Sequence, residues 1–483
     1  MVARRKKSAH RKVPALSAPL KQIQPHAAGI DAHSREHFVA VPVGSTPEDF
    51  VNPDANLPAH IRIFGTNTGD LEACAACLKV CKVETVAVES TGVYHLALVE
   101  VLESHGIAVI IVDSRQTKSA PGRPKTDVLD CQWIQRLHSY GLLRASFQPG
   151  PEIRKLRAYE RQREMLVCYA AIHIQHMQKA LELLNCKLMN VLTDIVGVTG
   201  MLIIKAIVRG VRDAKRLAAY RHPNCKAEEA EIAAALQGTW KEEYVFELRQ
   251  ALKLYEEYQR RLKDCDAEIE ACLKQFQDLS NGQKLTAKKS SAKRKKHSMS
   301  FDVRGWLLKL LGVDATLLEG IDEATAFVLA SELGPDLSAF ATERHFASWL
   351  GLSPNHRGSG GRVRRRSVKA SATRAARAFR MAAAGCHHAK NALGAFYRRI
   401  AARSGGAKAV VATARKIAER FYRLVTKKGD YVRQAENHYE EAYRLKLTKN
   451  LQKRAEELGY ELTPIKTPTD TAPTASPPTV MLT

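Results

Sequence analysis

The chain has 483 residues, of which 45% are hydrophobic, and a formal net charge of +25. This length predicts about two to four domains with substantial cores. No apolar run reaches the ~18 residues that a membrane helix needs, so the composition predicts a soluble protein without a helical membrane span. The ten cysteines are scattered along the chain, which favours reduced thiols in a cytosol over a disulfide framework.

Most of the positive charge lies in three segments. Residues 344–418 contain 17 lysines and arginines and no acidic residue, and residues 1–22 and 284–296 contain seven basic residues each. Positive charge concentrated in this way indicates a polyanionic partner, and nucleic acid fits best. A membrane surface is disfavoured because the basic segments lack flanking, strongly apolar helix faces.

After a basic arm at 1–25, which the composition predicts to be disordered, the pattern predicts a mixed α/β domain over 26–148. A hairpin followed by alternating helices and strands is typical of a mixed sheet. The predicted strands are 27–31, 36–43, 61–64, 85–89 and 107–112, and the predicted helices are 70–81, 94–105 and 126–140.

Four carboxylates stand at the ends of these elements. Asp31 ends the first predicted strand and Glu89 the fourth, whereas Asp127 and Asp130 share the first turn of the last helix. Each has an ordinary alternative role, as a turn residue, a surface residue or a residue that suits the helix dipole. Together they would repel one another without a cation, and hard oxygen ligands favour Mg²⁺.

The region 149–280 is predicted to be a long helical, coiled-coil-like connection. A helix is expected over 152–184, less clear helical pieces follow with a break at 197–200, and a heptad pattern covers 244–276. The positions of this heptad pattern that would face a partner helix, called the seam here, include the polar residues Gln259 and Asp266. The long helix therefore pairs either with another copy or with the earlier helix of its own chain, and the sequence leaves both possibilities open.

A basic linker at 281–300 is expected to lead into a mainly α-helical domain at 301–431. Within it, Ser359 stands among glycines on a predicted flexible loop, and residues 367–402 read as a helical pair. Such a serine is either a linker residue, a phosphate contact or a nucleophile. A charged helix at 432–462 and a disordered Pro/Thr tail at 463–483 complete the chain. The basic residues assigned to nucleic-acid binding are Arg357, Arg362, Arg364, Arg365, Arg366, Lys369 and Arg374.

Two sets of motifs resemble one known family. The first set is GIDAH around Asp31, VAVESTGVY around Glu89, VDSRQTK, and KTDVLD with Asp127 and Asp130. The second is EGIDEATAFVLASELG, FASWLGLSP, GSGG with Ser359, and AKAVVATARKIAERFYRLV. In this order they resemble the insertion-sequence transposases that have an N-terminal RuvC-like DEDD domain and a C-terminal serine domain, the bridge-RNA-guided DNA recombinases.

The resemblance implies an RNase H-like (RuvC-like) first domain in which Asp31, Glu89, Asp127 and Asp130 hold Mg²⁺. It implies that Ser359 is the nucleophile and forms a phosphoserine link to cleaved DNA. It also implies a structured guide RNA that pairs with donor and target DNA. Members act as homo-oligomers, here a dimer or tetramer, in which the serine of one protomer meets the carboxylates of another.

Two other functions remain open from the residues alone. A RuvC-like metal nuclease would cleave DNA with activated water and use the C-terminal half only to hold DNA. The other is a non-enzymatic nucleic-acid-binding protein with decayed acidic residues, which is disfavoured because all four carboxylates are present. For any of the three, the expected location is the prokaryotic cytoplasm, associated with the nucleoid.

Overall fold

The computed structural model describes residues 21–47, 56–90, 92–117, 126–285, 297–359, 362–368 and 373–428, and most of 445–463. The chain divides into two compact units, Met1–Gln148 and Pro149–Thr483. Three predicted segments, the basic arm at 1–25, the linker at 281–300 and the tail at 463–483, lie largely outside the described residues. The parts outside are 1–20, 286–296 and 464–483. Residues 432–444 of the predicted C-terminal helix also lie outside the described residues.

The first unit contains one five-stranded mixed sheet with the strand order β3-β2-β1-β4-β5. β1 is antiparallel to β2 and parallel to β4; β2–β3 is antiparallel and β4–β5 parallel. This arrangement is that of the expected RNase H-like fold. The elements are β1 (Ala27–Ala32), β2 (Glu36–Ala40), β3 (Ile61–Gly65), α1 (Thr68–Val80), β4 (Thr85–Ser90), α2 (Leu96–Ser104), β5 (Ala108–Val112), α3 (Ser114–Thr117) and α4 (Asp127–Ser139).

Helices cover both faces of this sheet, which explains why every residue of β1 is buried. Successive side chains of a strand point to opposite faces. Ala28 and Ile30 pack with the apolar faces of α1 and α2. Gly29 lies instead against the backbone of α4. Asp31, two residues further on, therefore points to the same side of the sheet as α4.

The second unit is mainly helical, as expected. Its first half contains two long helices and four short ones between them, whose apolar side chains form one continuous core. These helices are α5 (Pro151–Leu183), α6 (Leu188–Val191), α7 (Val198–Val208), α8 (Ala214–Ala218), α9 (Glu229–Ala235) and α10 (Glu242–Leu273). The break predicted around 197–200 is present but lies earlier, at 192–197: Gly197 precedes the first turn of α7, and the helix continues through Gly200.

The heptad helix α10 packs along α5 of its own chain. The two run antiparallel, since Arg163 pairs with Asp266, and Tyr169, further along α5, meets the earlier Tyr258. The polar seam residue Asp266 is buried and accepts a 2.5 Å hydrogen bond from the Arg163 guanidinium. It also accepts a 2.8 Å bond from the backbone N–H of Ser300. The carboxylate of the polar seam residue Asp266 thus finds its hydrogen-bond donors within its own chain.

Among the residues that the structure describes, the second half of this unit contains the α-helices α11 to α16 and a two-stranded antiparallel hairpin, β6–β7. Four fully buried phenylalanines form the centre of its core: Phe327, Phe346, Phe379 and Phe421. The elements are α11 (Val303–Leu311), α12 (Glu323–Leu333), α13 (Glu343–Trp349), β6 (Pro354–Ser359), β7 (Arg362–Val368), α14 (Arg374–Gly385), α15 (Ala392–Ser404) and α16 (Gly406–Lys427). Within the described ranges, no helix is both long and apolar enough to cross a membrane.

Candidate functional site

The candidate site of the first unit lies at the ends of two neighbouring parallel strands. Asp31 of β1 and Glu89 of β4 are directly opposite in the register. Side chains at opposite positions of paired strands project to the same face, about 5 Å apart at Cβ. Strand pairing alone therefore places two carboxylates side by side, and Asp31 retains only 9% of its exposure.

Helix α4 brings the second pair of carboxylates to this edge. An alanine Cβ at Gly29 would collide with the backbone N of Gln135 and lie 2.6 Å from the Cys131 carbonyl oxygen. Because glycine has no Cβ, α4 packs directly against the middle of β1. The Thr126 hydroxyl caps the helix by accepting the Leu129 N–H at 3.3 Å. The N-terminus of α4 is thereby held beside the end of β1.

Asp127 and Asp130 both lie in the first turn of α4. Asp127 is exposed and Asp130 half-buried. Of these two, Asp127 comes within reach of Asp31, with His33 between them. The His33 Nε2 atom lies 3.1 Å from Asp31 Oδ2 and 3.5 Å from Asp127 Oδ1.

One donor atom from each of these three residues lies within 4.8 Å of the other two. Of the other two predicted carboxylates, Glu89 is paired with Asp31 in the strand register, and neither Glu89 nor Asp130 belongs to this trio. The sequence prediction of the carboxylates did not include His33. Strand alternation could have found it, since a residue two positions after Asp31 continues on the same face.

Burial is the main cause of the raised pKa of Asp31, and the charges of Glu89 and Asp127 raise it further. The neighbouring His33 opposes this effect. A buried carboxylate surrounded by other carboxylates is unfavourable when ionised, and a bound cation reverses that preference. The donor set of carboxylate oxygens with one imidazole nitrogen fits a divalent metal ion.

Glu89 is oriented by a chain of hydrogen bonds that the sequence did not indicate. The Thr117 hydroxyl donates to Glu89 Oε2 at 2.5 Å. The Trp133 indole N–H donates to the Thr117 carbonyl oxygen at 3.0 Å. A contact from α4 through α3 to β4 thus reaches the Glu89 carboxylate and restricts its rotamer.

A separate candidate region in the second unit is the hairpin that carries Ser359, and its strand pairing corrects the prediction of a flexible loop. Ser359 ends β6 and is paired with Arg362, the first residue of β7. Two glycines separate the strands in the sequence, a spacing typical of tight hairpins. The helical pair predicted over 367–402 is confirmed as α14 and α15, but it begins later than predicted, at Arg374, because β7 extends to Val368.

The hairpin register distributes the arginines along both strands. Arg357 is opposite Arg365, and a β-bulge next to this pair leaves Arg364 as the extra residue, while Arg366 is opposite His356. Lys369 lies outside the described residues. Arg374 begins α14 and forms ion pairs with Glu164 and, at 3.6 Å, with Glu160 of α5.

Comparison with known proteins assigns both halves to one group. The family model for the DEDD domain of IS110 transposases matches residues 28–186, which include the sheet, its carboxylates and α5. The model of the transposase IS116/IS110/IS902 family matches residues 315–398, which include the hairpin. No curated protein matches the chain significantly. With the two models matched in this order over half of its length, the chain belongs to the IS110 family of transposases with a DEDD domain.

Proposed function

We propose that this transposase is a Mg²⁺-dependent recombinase that cleaves and rejoins DNA through a covalent link to Ser359. The observation that carries the proposal is the approach of Asp31 and Asp127 around one point, with Asp31 buried and Glu89 opposite it. Such a cluster is costly unless a cation balances it. The basic C-terminal half supplies the charge that binding of DNA requires.

In this proposal Asp31, Glu89, Asp127 and Asp130 hold the metal ion. The ion would polarise the scissile phosphate and stabilise the attacking and leaving oxygens. The chain contributes the geometry: the β1–β4 register sets the spacing of Asp31 and Glu89, and α4 supplies the other two carboxylates. Thr117 keeps the Glu89 carboxylate turned in one direction.

The serine step exchanges one ester bond for another. The Ser359 Oγ attacks the scissile phosphorus, an Oγ–P bond forms, and one P–O bond of the DNA strand breaks. The hydroxyl proton passes in net terms to the departing oxygen, which becomes a free strand end. Attack by the hydroxyl of another strand end reverses these changes, so that strands are rejoined without a nucleotide cofactor.

The basic residues of the C-terminal unit are proposed to bind donor and target DNA. Arginine forks fit phosphate oxygens and position the backbone. The set comprises Arg357, Arg362, Arg364, Arg365, Arg366, Lys369 and Arg374. Arg374 also has a structural role, because its ion pairs with Glu160 and Glu164 connect α14 to α5.

We further propose that the protein works with a structured guide RNA encoded by its insertion-sequence element. The active assembly is proposed to be a dimer or tetramer. Its place of action is proposed to be the nucleoid of a prokaryotic cell. The resemblance of the motifs and the basic charge of the chain support an RNA partner. To test this, a reconstituted reaction should contain RNA transcribed from the DNA that flanks the reading frame of this protein.

The decisive experiment compares Ser359→Ala with Ser367→Ala, a matched serine on β7 of the same hairpin. The full-length chain is incubated with Mg²⁺, the flanking transcript and a duplex containing the element end. Denaturing gels then measure protein–DNA adducts and cleaved strands. We expect adducts with the parent and Ser367→Ala, and none with Ser359→Ala or Asp127→Ala.

Other outcomes identify the rival functions. Cleavage that survives Ser359→Ala but is lost in Asp127→Ala would identify a nuclease that uses activated water. Binding without cleavage by the parent chain would indicate a nucleic-acid-binding protein. Equal recombination with and without the transcript would reject RNA guidance while leaving the serine chemistry intact.

A further inference from the structure

His33 lies between Asp31 and Asp127, the two carboxylates that come together in the proposed metal site. Its side chain is 40% exposed, but its Nε2 atom is enclosed and makes no hydrogen bond of good angular geometry. The ring stands edge-to-face on Phe38, with the centroids 5.9 Å apart. Packing against Phe38 therefore directs the enclosed His33 Nε2 atom toward two carboxylates, with which it makes no well-aligned hydrogen bond.

The two distances from His33 Nε2 to the carboxylate oxygens are close to those between neighbouring ligands of one ion. With metal–ligand bonds of about 2.1 Å at right angles, neighbouring donor atoms are about 3 Å apart. The His33 Nε2 atom is 3.1 Å from one carboxylate oxygen and 3.5 Å from the other. All three atoms lie within 4.8 Å of one another, so side-chain rotation can bring them around one ion.

We propose that His33 is an additional metal ligand of this site, binding through Nε2. This inference rests on the proposed function, since it needs a cation held by Asp31 and Asp127. It makes the site a mixed nitrogen and oxygen site rather than one built of carboxylates alone. Imidazole favours transition-metal ions over Mg²⁺. The site is therefore expected to bind Mn²⁺ more tightly than Mg²⁺.

The test uses the intact chain and substoichiometric Mn²⁺, with pulsed electron paramagnetic resonance as the readout. A coordinated imidazole gives a ¹⁴N modulation of the Mn²⁺ signal, which does not depend on catalytic activity. We expect this modulation in the parent chain and its loss in His33→Ala. His60→Gln is the matched control, because His60 contacts Gln132 of α4 outside the donor trio. It should keep the modulation.

Affinities provide a second measure. Removal of the nitrogen ligand should weaken Mn²⁺ binding by about 10- to 100-fold, the range that disturbed metal sites show, and weaken Mg²⁺ binding less. His33→Gln serves in place of the alanine variant if that one fails to fold. Because the ¹⁴N signal is first sought in the parent chain, misfolding of a variant does not decide the result.

Two failures are distinguishable. Mn²⁺ bound by the parent chain without histidine modulation, or with modulation that persists in both His33 variants, would overturn the assignment of His33 while leaving a carboxylate metal site in place. No binding of Mn²⁺ or Mg²⁺ by the parent chain would instead overturn the metal site of the proposed function itself, and His33 with it.

Discussion

Asp31 and Glu160 are both buried carboxylates, but their surroundings serve different purposes. Asp31 faces other carboxylates and a histidine at a sheet edge, where a cation can restore its charge. Glu160 lies in α5 and is 4% exposed. Burial, followed by the charge of Glu164, raises its pKa to about 7, and Arg374 only partly opposes this effect.

The raised pKa of Glu160 predicts that its ionisation destabilises the folded chain. The unfolded chain releases this proton near the ordinary pKa of 4.5, whereas the folded chain retains it up to about pH 7. Stability should therefore fall as the pH rises from 4.5 to 7, by on the order of 3 kcal/mol for this group. Glu160→Gln should remove that decrease.

Calorimetric melting of the parent and Glu160→Gln at pH 5 and pH 8 checks this prediction. The melting temperatures should be closest at pH 5, and the variant should be the more stable of the two at pH 8. Identical pH profiles would mean that Glu160 ionises normally in the folded chain.

At the level of elements, the contact between α4 and β1 decides whether the carboxylates meet. Gly29 permits it, because a Cβ there would displace the α4 backbone at Cys131 and Gln135. Overpacking of this kind commonly costs about 1–3 kcal/mol. Gly29→Ala should lower stability by that amount and, since α4 carries Asp127, weaken Mn²⁺ binding by at least about tenfold.

The matched control is Gly69→Ala in the first turn of α1, where an added Cβ meets no atom within 4 Å. Glycine is a poor helix former, so this change should leave stability equal or slightly higher. Thermal melting and Mn²⁺ titration measure both variants. Unchanged metal affinity in Gly29→Ala would show that the position of α4 does not control the site.

The net charge of +25 governs binding at the scale of the whole molecule. If about 6–10 phosphates are contacted, the affinity for duplex DNA should fall by about 10³- to 10⁵-fold between 50 and 200 mM salt. Arg366→Ala, in the hairpin, should lower the slope of log affinity against log salt by about one. Fluorescence anisotropy across the salt series measures this slope.

The control removes one positive charge elsewhere. Arg260 of α10 is exposed and ion-paired with Glu257, so Arg260→Ala should leave the slope unchanged. Equal slopes for both variants and the parent would place the DNA contacts outside the hairpin. A nearly flat salt dependence in the parent would argue against phosphate contacts as the main source of affinity.

Local patterns in the sequence were sufficient to predict the sheet and the positions of its carboxylates. Alternation, capping residues and apolar runs act within one element, so they predicted the five strands and α4, whose first turn carries Asp127 and Asp130. The hairpin was missed because its glycines and arginines are also typical of solvated loops. The break predicted around 197–200 lies instead at 192–197, because Gly197 is the residue before α7 and Gly200 is buried within that helix.

By itself, the amino-acid sequence determined the fold class, the strand ends that carry Asp31 and Glu89, and the concentration of basic charge in the C-terminal half. Only the tertiary structure decided that α10 packs on α5 of its own chain, that Thr117 orients Glu89 and that His33 enters the acidic cluster. The physical reason is the range of the interactions. Periodicity and capping are local, whereas a partner for a seam residue or a carboxylate is supplied by an element distant along the chain.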